Sequence, residues 1–331
     1  MFFLTLSDFK MVNYKKILVT GGLGQIGSEL SLELQNRYGA DNVIITDIKN
    51  EIPEVFGQDS IYLKLDVLDY AKLTDTIKKY KIDAIFHLAA ILSGRGEEDP
   101  FHCWNVNMNG NINIFKAAIE FKIKRVFIPS SMAAWGIGIP KENVPQDSVL
   151  RPTSMYGVTK VAGERLCEYM FHKYNLDCRG LRYPGIISSE ALPGGGTTDY
   201  AVEIFYEAIK HKKYTSYIDK GTKLPMMYMP DCIKATIMLM EADVEKLTCH
   251  GDYNLAAFSF APEEIAAEIK KIIPEFEIDY KPDFRQKIAE SWPASIDDSV
   301  ARRDWGWSPD YDIATMTKDM IEKLTKKLKL K

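Results

Sequence analysis

The chain has 331 residues, about twice the usual size of one domain, so we expect one large or two smaller compact units. A composition of 46% hydrophobic, 27% charged and 11% aromatic residues excludes the disordered and fibrous classes. The 42 basic and 46 acidic residues give a formal net charge of -4, which provides no basic field for wrapping nucleic acid.

Metal-binding and disulfide patterns are missing from the sequence. The five cysteines include no C-x-x-C pair and the five histidines no H-x-x-x-H pair, so we expect neither a disulfide framework nor a metal site. This usage fits a reducing compartment, the cytoplasm or, in a eukaryote, the mitochondrial matrix. No uncharged apolar run approaches ~18 residues, so we expect no membrane span.

From residue 16 onward, short β-branched runs alternate with helical patterns, which predicts a doubly wound α/β fold around a parallel sheet of the Rossmann type. In chain order, the predicted strands are Ile17–Thr20, Val43–Thr46, Ile61–Leu65, Ala84–Leu88, Val126–Pro129 and Arg179–Leu181. The predicted helices between them are Ile26–Tyr38, Tyr70–Tyr80 and Val106–Phe121.

Beyond about Tyr183 this rhythm breaks into Gly/Pro-rich loops and scattered helices. These helices are predicted at Tyr200–Lys210, Pro230–Glu241, Pro262–Ile273 and Ile313–Leu328. We therefore expect an N-terminal extension over residues 1–14, a first domain over 15–183, and a smaller cap over 184–331 that packs against it around a shared cleft.

Residues 16–27, KILVTGGLGQIG, place a strand, a glycine turn and a helix start in the order that cradles a pyrophosphate. The residues expected to touch the cofactor there are Gly21, Gly24, Gln25, Ile26 and Gly27. Twenty residues after Gly27 comes Asp47, whose carboxylate can accept hydrogen bonds from an adenosine ribose and repel a 2′-phosphate. The pattern predicts NAD rather than NADP. The alternatives are a tight structural turn for the glycines and a turn or cap role for Asp47.

Two further strand ends are expected at the same edge of the sheet. Asp66 and Val67 follow the third strand, on the side where adenine is expected. The fourth strand runs into the small residues that would let the backbone pass close to the cofactor, Leu88, Ala89 and Ala90. Within that strand, His87 is predicted to be an interior histidine rather than a catalyst.

A phenol and an ammonium stand four residues apart at Tyr156 and Lys160, hence on one face of a helix. A tyrosine with an ordinary pKa of ~10 must lose its proton near neutral pH to act as a base. A cation within ~4 Å is worth ~4 kcal/mol at an effective dielectric of ~20, or roughly three pKa units. We therefore expect Lys160, together with oxidised nicotinamide, to lower the pKa of Tyr156.

The same Tyr-x-x-x-Lys spacing recurs at Tyr169 and at Tyr206, so spacing alone does not identify the base. Position does, because Tyr156 follows by twenty-five residues a strand end that carries Ser131, whose hydroxyl could hydrogen-bond a substrate oxygen. We predict that Tyr156, Ser131 and Lys160 are the catalytic residues.

The glycine pattern and the residues after it resemble, in their order, the extended short-chain dehydrogenase/reductase superfamily over about residues 15–190. The residues that carry this resemblance are Asp47, Asp66, Ser131, Tyr156 and Lys160. It implies that the site serine is Ser131 rather than Ser130. It also implies that Asn107 is the superfamily's helix asparagine, a support residue, with an ordinary helix position as the alternative.

Three unusual blocks in the second half resemble the L-threonine 3-dehydrogenase branch of this superfamily: LRYPGIIS at 181–188, PGGGTTDYAVE at 193–203 and LPMMYMPD at 224–231. The resemblance implies metal-free, NAD-dependent oxidation of L-threonine to 2-amino-3-oxobutanoate, in threonine catabolism to glycine or aminoacetone. It further implies a homodimer formed through the helices at 106–121 and 156–174, and hand-off of the product to a coenzyme-A-dependent ligase.

The same resemblance implies a cofactor contact at Ile187 and substrate contacts at Ser93, Thr197, Thr198 and Asp199. Asp199 could pair with an amino-acid ammonium and a threonine hydroxyl could meet the carboxylate, while helix capping and an ordinary loop are the alternatives. A nucleotide-sugar 4-epimerase on the same scaffold and a non-catalytic NAD-binding sensor remain the competing functions. A dehydratase is disfavoured because Met132 and Ala133 stand where that group carries an Asp-Glu pair.

Overall fold

The computed structural model describes residues 14–192 and 196–329. The predicted extension therefore lies outside the described residues except for Tyr14, as do residues 193–195 of the glycine block.

The strands, in chain order, are β1 Ile17–Thr20, β2 Val43–Asp47, β3 Ile61–Lys64, β4 Ala84–His87, β5 Arg125–Phe127, β6 Ser130–Ser131, β7 Asp177–Arg179, β8 Leu181–Tyr183, β9 Gly185–Ile187, β10 Lys213–Ser216, β11 Leu224–Tyr228, β12 Tyr253–Asn254, β13 Phe258–Phe260 and β14 Glu277–Tyr280. The helices are α1 Gln25–Tyr38, α2 Tyr70–Tyr80, α3 Ser93–Glu98, α4 Pro100–Trp104, α5 Gly110–Glu120, α6 Met155–Tyr174, α7 Tyr200–His211, α8 Met229–Glu241, α9 Pro262–Ile272, α10 Phe284–Ser291, α11 Ser299–Trp305 and α12 Ile313–Lys329. A π-helical turn at Asn105–Asn109 precedes α5.

The central sheet has six parallel strands in the order β3-β2-β1-β4-β5-β7. The chain winds outward from β1 in one direction and then from β4 in the other, so the strand order reverses between these two neighbours. This confirms the predicted doubly wound fold, and the reversal marks the crevice in which such sheets bind their ligands.

Helices cover both faces of this sheet. Alternate residues of a strand point to opposite faces, so Ile17 and Val19 pack with α1 and α8 while Leu18 packs with α2, α5 and α6. Every residue of β1, β2 and β4 is buried. Burial on both faces is the reason that these strands are continuous apolar runs in the sequence.

The predicted strand at 179–181 is wrong, because the structure divides it at Gly180 between β7 and β8. A Cβ on Gly180 would lie 2.4 Å from the carbonyl oxygen of Ile128 and 2.5 Å from that of Gly251. At this close crossing the backbone leaves the central sheet, and β8 then pairs with β6 and β12 instead.

The second half of the chain forms its own apolar core, and part of it also packs against the core of the central sheet. Helices α7, α9 and α12 pack with β11 in a second apolar cluster, beside the small sheets β13-β11-β9 and β10-β14. Helix α8 packs on α1, and the buried guanidinium of Arg179 donates to the carbonyl oxygens of Leu239 and Ala242. The predicted domain boundary at residue 183 stays a prediction.

No helix within the described part of the chain combines the length and apolarity needed to cross a bilayer.

Candidate active site

Parallel strands bring their carboxyl ends to one edge, and the predicted cofactor residues gather there. Gly21 follows β1, Asp47 ends β2, Asp66 follows β3 and Ala89 follows β4. These are neighbouring strands, so the sheet itself aligns residues that lie up to 68 positions apart in the sequence. The crevice between β1 and β4 runs along this edge.

The glycine turn is packed too tightly to carry side chains. Gly21 has φ +66°, and a Cβ added to it would lie 2.6 Å from the backbone nitrogen of Ala89. A Cβ on Gly27 would lie 2.1 Å from the carbonyl oxygen of Gly21, to which Gly24 donates its amide at 3.0 Å. The bare backbone at the start of α1 is what a pyrophosphate needs for close approach.

Sequence reasoning missed one member of this turn. A Cβ on Gly22 would lie 2.6 Å from Cγ2 of Ile45 on β2, and its amide donates to the carbonyl oxygen of Thr46. The doubled glycine at 21–22 was the signal that could have shown it, because a second glycine is not needed by the phosphate-binding spacing.

Asp47 is nearly buried and holds the glycine turn in place. Its Oδ2 accepts from the amide of Leu23 at 3.0 Å and its Oδ1 from the amide of Lys49 at 3.3 Å. The structure thus shows the turn role that was the alternative, and ribose recognition stays a prediction. Asp66 is exposed and accepts from the amide of Leu68 at 2.9 Å, which closes the turn after β3.

Asn107 joins the loop after β4 to helix α6. Its Oδ1 accepts from the amide of Ile91 at 2.8 Å, and its Nδ2 donates to the Ile91 carbonyl and to Oγ1 of Thr159, each at 3.1 Å. The residue lies in the π-helical turn, a distortion often found at functional sites. Because Thr159 immediately precedes Lys160, these bonds are consistent with the support role that the resemblance implied.

The three predicted catalytic residues meet where α6 begins. Lys160 donates from Nζ to the carbonyl oxygen of Pro129 at 2.8 Å, and this Nζ lies 5.2 Å from the ring centroid of Tyr156. The hydroxyl of Ser131 accepts from the amide of Ala133 at 3.2 Å and lies near enough to the Tyr156 phenol to lower its pKa. The structure therefore brings a phenol, an ammonium and a hydroxyl together beside the cofactor edge.

Burial dominates the electrostatics of this group. It raises the pKa of Tyr156 to about 12, against the opposing effect of the Ser131 hydroxyl, and it lowers the pKa of Lys160 to about 8. In the protein alone, desolvation outweighs the lowering of the Tyr156 pKa expected from the ammonium, which donates to the Pro129 carbonyl. The lowering expected with oxidised nicotinamide beside the phenol stays a prediction.

The two other Tyr-x-x-x-Lys pairs lie elsewhere. Tyr169 is 52% exposed on α6 and its ring contacts Tyr174, while Tyr206 packs in the second apolar cluster on α7. Of the three tyrosines, Tyr156 is the one that lies beside the Ser131 hydroxyl. Helical spacing makes such pairs common, and the fold selects one of them.

The predicted substrate residues lie on two segments, α3 and the turn before α7. Helix α3, which begins at Ser93, lies against Tyr156: a Cβ on Gly96 would be 3.8 Å from the tyrosine Cβ. In the turn before α7, Cγ2 of Thr198 would be 2.9 Å from a Cβ on Gly185, the first residue of β9.

Strand β9 connects these residues to the cofactor edge. Gln25, the first residue of α1, donates from Nε2 to the carbonyl oxygen of Ile186 at 3.4 Å, and the next residue is the buried Ile187. Asp199 does not cap α7 with its side chain, and its Oδ2 accepts from the amide of Gly196 at 2.8 Å. Thr197 is buried beside it.

Among residues 14–192 and 196–329, no three histidine, cysteine, aspartate or glutamate side chains come together as a metal ion would require.

Comparison with known proteins gives one consistent result. The model of the NAD dependent epimerase/dehydratase family matches residues 17–256. An uncharacterized epimerase/dehydratase of Staphylococcus aureus is 47% identical over 314 residues, which cover 95% of this chain and 98% of the relative. The solved L-threonine dehydrogenase from Clostridium difficile is 50% identical with a TM-score of 0.93, covering 95% and 99% of the two chains. A monomeric L-threonine 3-dehydrogenase from a metagenome is 46% identical with a TM-score of 0.89, covering 94% and 99%.

We predict that Gly21→Ala is far more damaging than Gly57→Ala. Both glycines have positive φ, +66° and +69°, so both substitutions strain the backbone, by about 1–3 kcal/mol. A Cβ at Gly57 has nothing within 4 Å, whereas one at Gly21 meets the Ala89 backbone at 2.6 Å. Urea unfolding should show a loss of more than ~3 kcal/mol for Gly21→Ala alone, and NAD titration a weakening of at least ~10-fold. Equal losses in the two variants would contradict the packing argument.

We also predict that His87 makes the free energy of unfolding sensitive to acid. Its Nδ1 lies 2.7 Å from Oγ1 of Thr20. Burial and the nearby charge of Lys160 lower the pKa of His87 to about 3, from 6.5. As pH falls below 6.5 the unfolded chain binds a proton that the native state does not bind, so the free energy of unfolding falls, by roughly 2–3 kcal/mol between pH 7.5 and 4.5. Urea unfolding across this range should give a flatter profile for His87→Gln. The exposed His172→Gln is the control, and a profile for His87→Gln as steep as the wild type's would refute the prediction.

Proposed function

The chain belongs to the NAD-dependent epimerase/dehydratase family, and from that premise we propose that it oxidises L-threonine at C3 to 2-amino-3-oxobutanoate. NAD is the cofactor, and the protein is an NAD-dependent oxidoreductase. The observation that carries the proposal is the convergence of Tyr156, Lys160 and Ser131 at the cofactor edge of the sheet. Relatives described as L-threonine dehydrogenases, similar over nearly the whole chain, support the choice of substrate.

The residues present fit NAD. The glycine turn offers backbone amides at a helix start with no room for side chains, and Asp47 stands at the end of the adjacent strand. When bound, NAD accepts the hydride that leaves C3 of the substrate, and its positive ring favours an anionic group nearby.

The three proposed catalytic residues have different roles in the reaction. Tyr156 takes the proton of the C3 hydroxyl, and Ser131 donates a hydrogen bond to the same substrate oxygen, since its lone pair already accepts from Ala133. Lys160 holds its ammonium beside the tyrosine ring and stabilises the phenolate form. With NAD reduced and one proton released, the product is 2-amino-3-oxobutanoate.

The polar groups bordering the site suit the two ends of an amino acid. In this proposal the carboxylate of Asp199 pairs with the ammonium, and a hydroxyl of Thr197 or Thr198 binds the carboxylate. Ser93 approaches from the α3 side, against Tyr156. These assignments follow the resemblance in the sequence, and the contact of Thr198 with β9 supports them.

The proposal predicts that purified protein reduces NAD when given L-threonine, as measured by absorbance of NADH. Serine, allo-threonine and a panel of UDP-sugars should give at most a few per cent of that rate, because they lack the substrate's combination of C3 stereochemistry and charge. Turnover of a UDP-sugar without turnover of L-threonine would overturn the proposal in favour of an epimerase. Tight NAD binding with no turnover of any substrate would favour a sensor.

Two tyrosine variants provide the matched control for this assay. Tyr156→Phe should lower kcat at least ~10²-fold while NAD affinity stays within about 2-fold, because the proton acceptor is lost and the ring remains. Tyr169→Phe removes an exposed phenol of the same helix and should leave kcat unchanged. Equal losses in both variants would contradict the assignment of Tyr156.

We propose that the protein is a homodimer that uses α6 and the adjoining α4. Helix α4 exposes Phe101 and Trp104, 83% and 41% accessible, and α6 exposes Val158 and Tyr169. Exposed apolar side chains on neighbouring helices mark an association surface. A relative described as monomeric shows that family members need not share this state.

Sedimentation velocity should therefore give twice the 37.6 kDa mass of one chain. Phe101→Glu should shift the protein to the monomer, because a carboxylate cannot be buried unpaired in the interface. Phe284→Glu, at a 73% exposed position on α10, should leave the dimer intact. A wild-type monomer at micromolar concentration would refute the proposal.

The setting of the reaction is also a proposal. The five cysteines are all unpaired, which supports a reducing compartment such as the cytoplasm or the mitochondrial matrix. The product is a β-keto acid that decarboxylates readily, so its transfer to a coenzyme-A-dependent ligase would protect it.

A further inference from the structure

Three consecutive residues of the β6 segment each contact a different residue of α6. The carbonyl of Pro129 accepts from Lys160, and the hydroxyl of Ser131 lies beside the Tyr156 phenol, whose pKa it lowers. Between them, the hydroxyl of Ser130 donates to Oε1 of Glu164. Two of these contacts belong to the catalytic group, and the third has no role in the proposed reaction.

Glu164 extends the catalytic stripe of the helix. Tyr156, Lys160 and Glu164 are spaced by four residues, so they follow one another along one face of α6. The side chain of Glu164 has no accessible surface, and a carboxylate buried in this way needs a full set of partners.

Arg182 supplies two of those partners, and all five of its N–H donors are used. Its Nε and Nη2 donate to the two oxygens of Glu164 at 2.9 and 2.8 Å, a bidentate pair. The remaining donors go to the carbonyl oxygen of Gln146, to Oδ1 of Asn254 and to Oδ2 of Asp252, at 2.9, 3.1 and 3.2 Å. With every donor used and the side chain 2% exposed, the guanidinium is held in one position.

This arrangement links both strands to the helix. Ser130 pairs in register with Arg182, and Ser131 with Tyr183, where β6 lies beside β8. Ser130 and Arg182 therefore sit opposite each other and both contact the same carboxylate on α6. Because Ser130 and Ser131 are adjacent in β6, a shift of this strand away from the helix would break the Ser130 bond and displace Ser131 together.

We infer that Ser130 is a positioning residue for the reaction: through the Glu164–Arg182 pair it sets the distance of β6 from α6, and so places the Ser131 hydroxyl at the Tyr156 phenol. The inference rests on the proposed function, since it concerns the same site. It explains why a buried ion pair, which is weak evidence for stability, lies directly behind the reacting groups. It also assigns a role to Ser130, which had none once Ser131 was chosen as the site serine.

A double-mutant cycle tests this inference in the NAD-linked assay with L-threonine. We expect Ser130→Ala to lower kcat by about 10-fold or more, because a misplacement near 1 Å can cost ~10²-fold in rate. NAD affinity should stay within about 2-fold. In a Ser131→Ala background the same change should lower kcat by less than about 2-fold, because a residue that acts through Ser131 has nothing left to position.

Ser216→Ala is the matched control, since it removes a fully buried hydroxyl in the cap that donates to the Ile218 carbonyl and accepts from the Ile218 amide. It should lose comparable stability and keep its kcat. Ser130→Cys retains the volume with a weak donor and replaces the alanine variant in the cycle if that variant does not fold. An unchanged kcat in the Ser130 variant, or losses that simply multiply in the double variant, would overturn the inference.

The failure of the proposed function would look different. If the wild type reduces no NAD with L-threonine, that function falls, and crystal structures of the wild type and Ser130→Ala decide the positioning role. Displacement of the Ser131 oxygen from the Tyr156 phenol by more than ~0.5 Å supports it, since productive geometry tolerates about that much. An unmoved oxygen overturns it.

Discussion

The close approach of helix α6 to the turn after β6 is the constraint on which the rest of the site depends. A Cβ on Gly157 would lie 2.3 Å from the carbonyl oxygen of Ala133, so the helix can pack at this distance only with a glycine one residue after Tyr156. Ser154 caps the helix start by accepting from the Gly157 amide at 3.1 Å. Backbone packing, rather than the reactive groups themselves, thus determines where the tyrosine stands.

Burial is the main influence on the pKa values of Tyr156 and Lys160. It moves the pKa of Tyr156 up to about 12 and that of Lys160 down to about 8, and both shifts oppose the charged forms that catalysis uses. A positive cofactor ring beside the phenol would act in the opposite direction. Asp47 and the glycine turn, by contrast, are held in place by their own hydrogen bonds.

The two halves of the chain meet at β9 and α8 rather than at a linker. Strand β9 touches the first turn of α1 through Gln25 and the start of the cap through Thr198. Helix α8 packs on α1 and its last carbonyls accept from Arg179 of the central sheet. Cofactor and substrate residues consequently share one packed framework, which suits a reaction in which a hydride must pass over a short distance.

The sequence by itself predicted most elements of the central sheet, the main helices and the candidate residues of the site. Apolar runs and glycine spacing predicted the parallel sheet, the NAD turn, and the grouping of Tyr156 with Lys160, because strand burial and helical periodicity are written in neighbouring residues. Most predicted elements differ from the structure by only one or two residues at their ends, and the strand divided at Gly180 is the main exception.

Only the tertiary structure decided what depends on residues far apart in the chain. The direction of the Tyr156 pKa followed from burial by several elements, and the turn role of Asp47 from an amide 24 residues away. The partners of Glu164 come from β6 and β8, so nothing near it in the sequence marks it as part of the site. Desolvation and close packing are properties of the assembled core, and for that reason no local pattern could predict them.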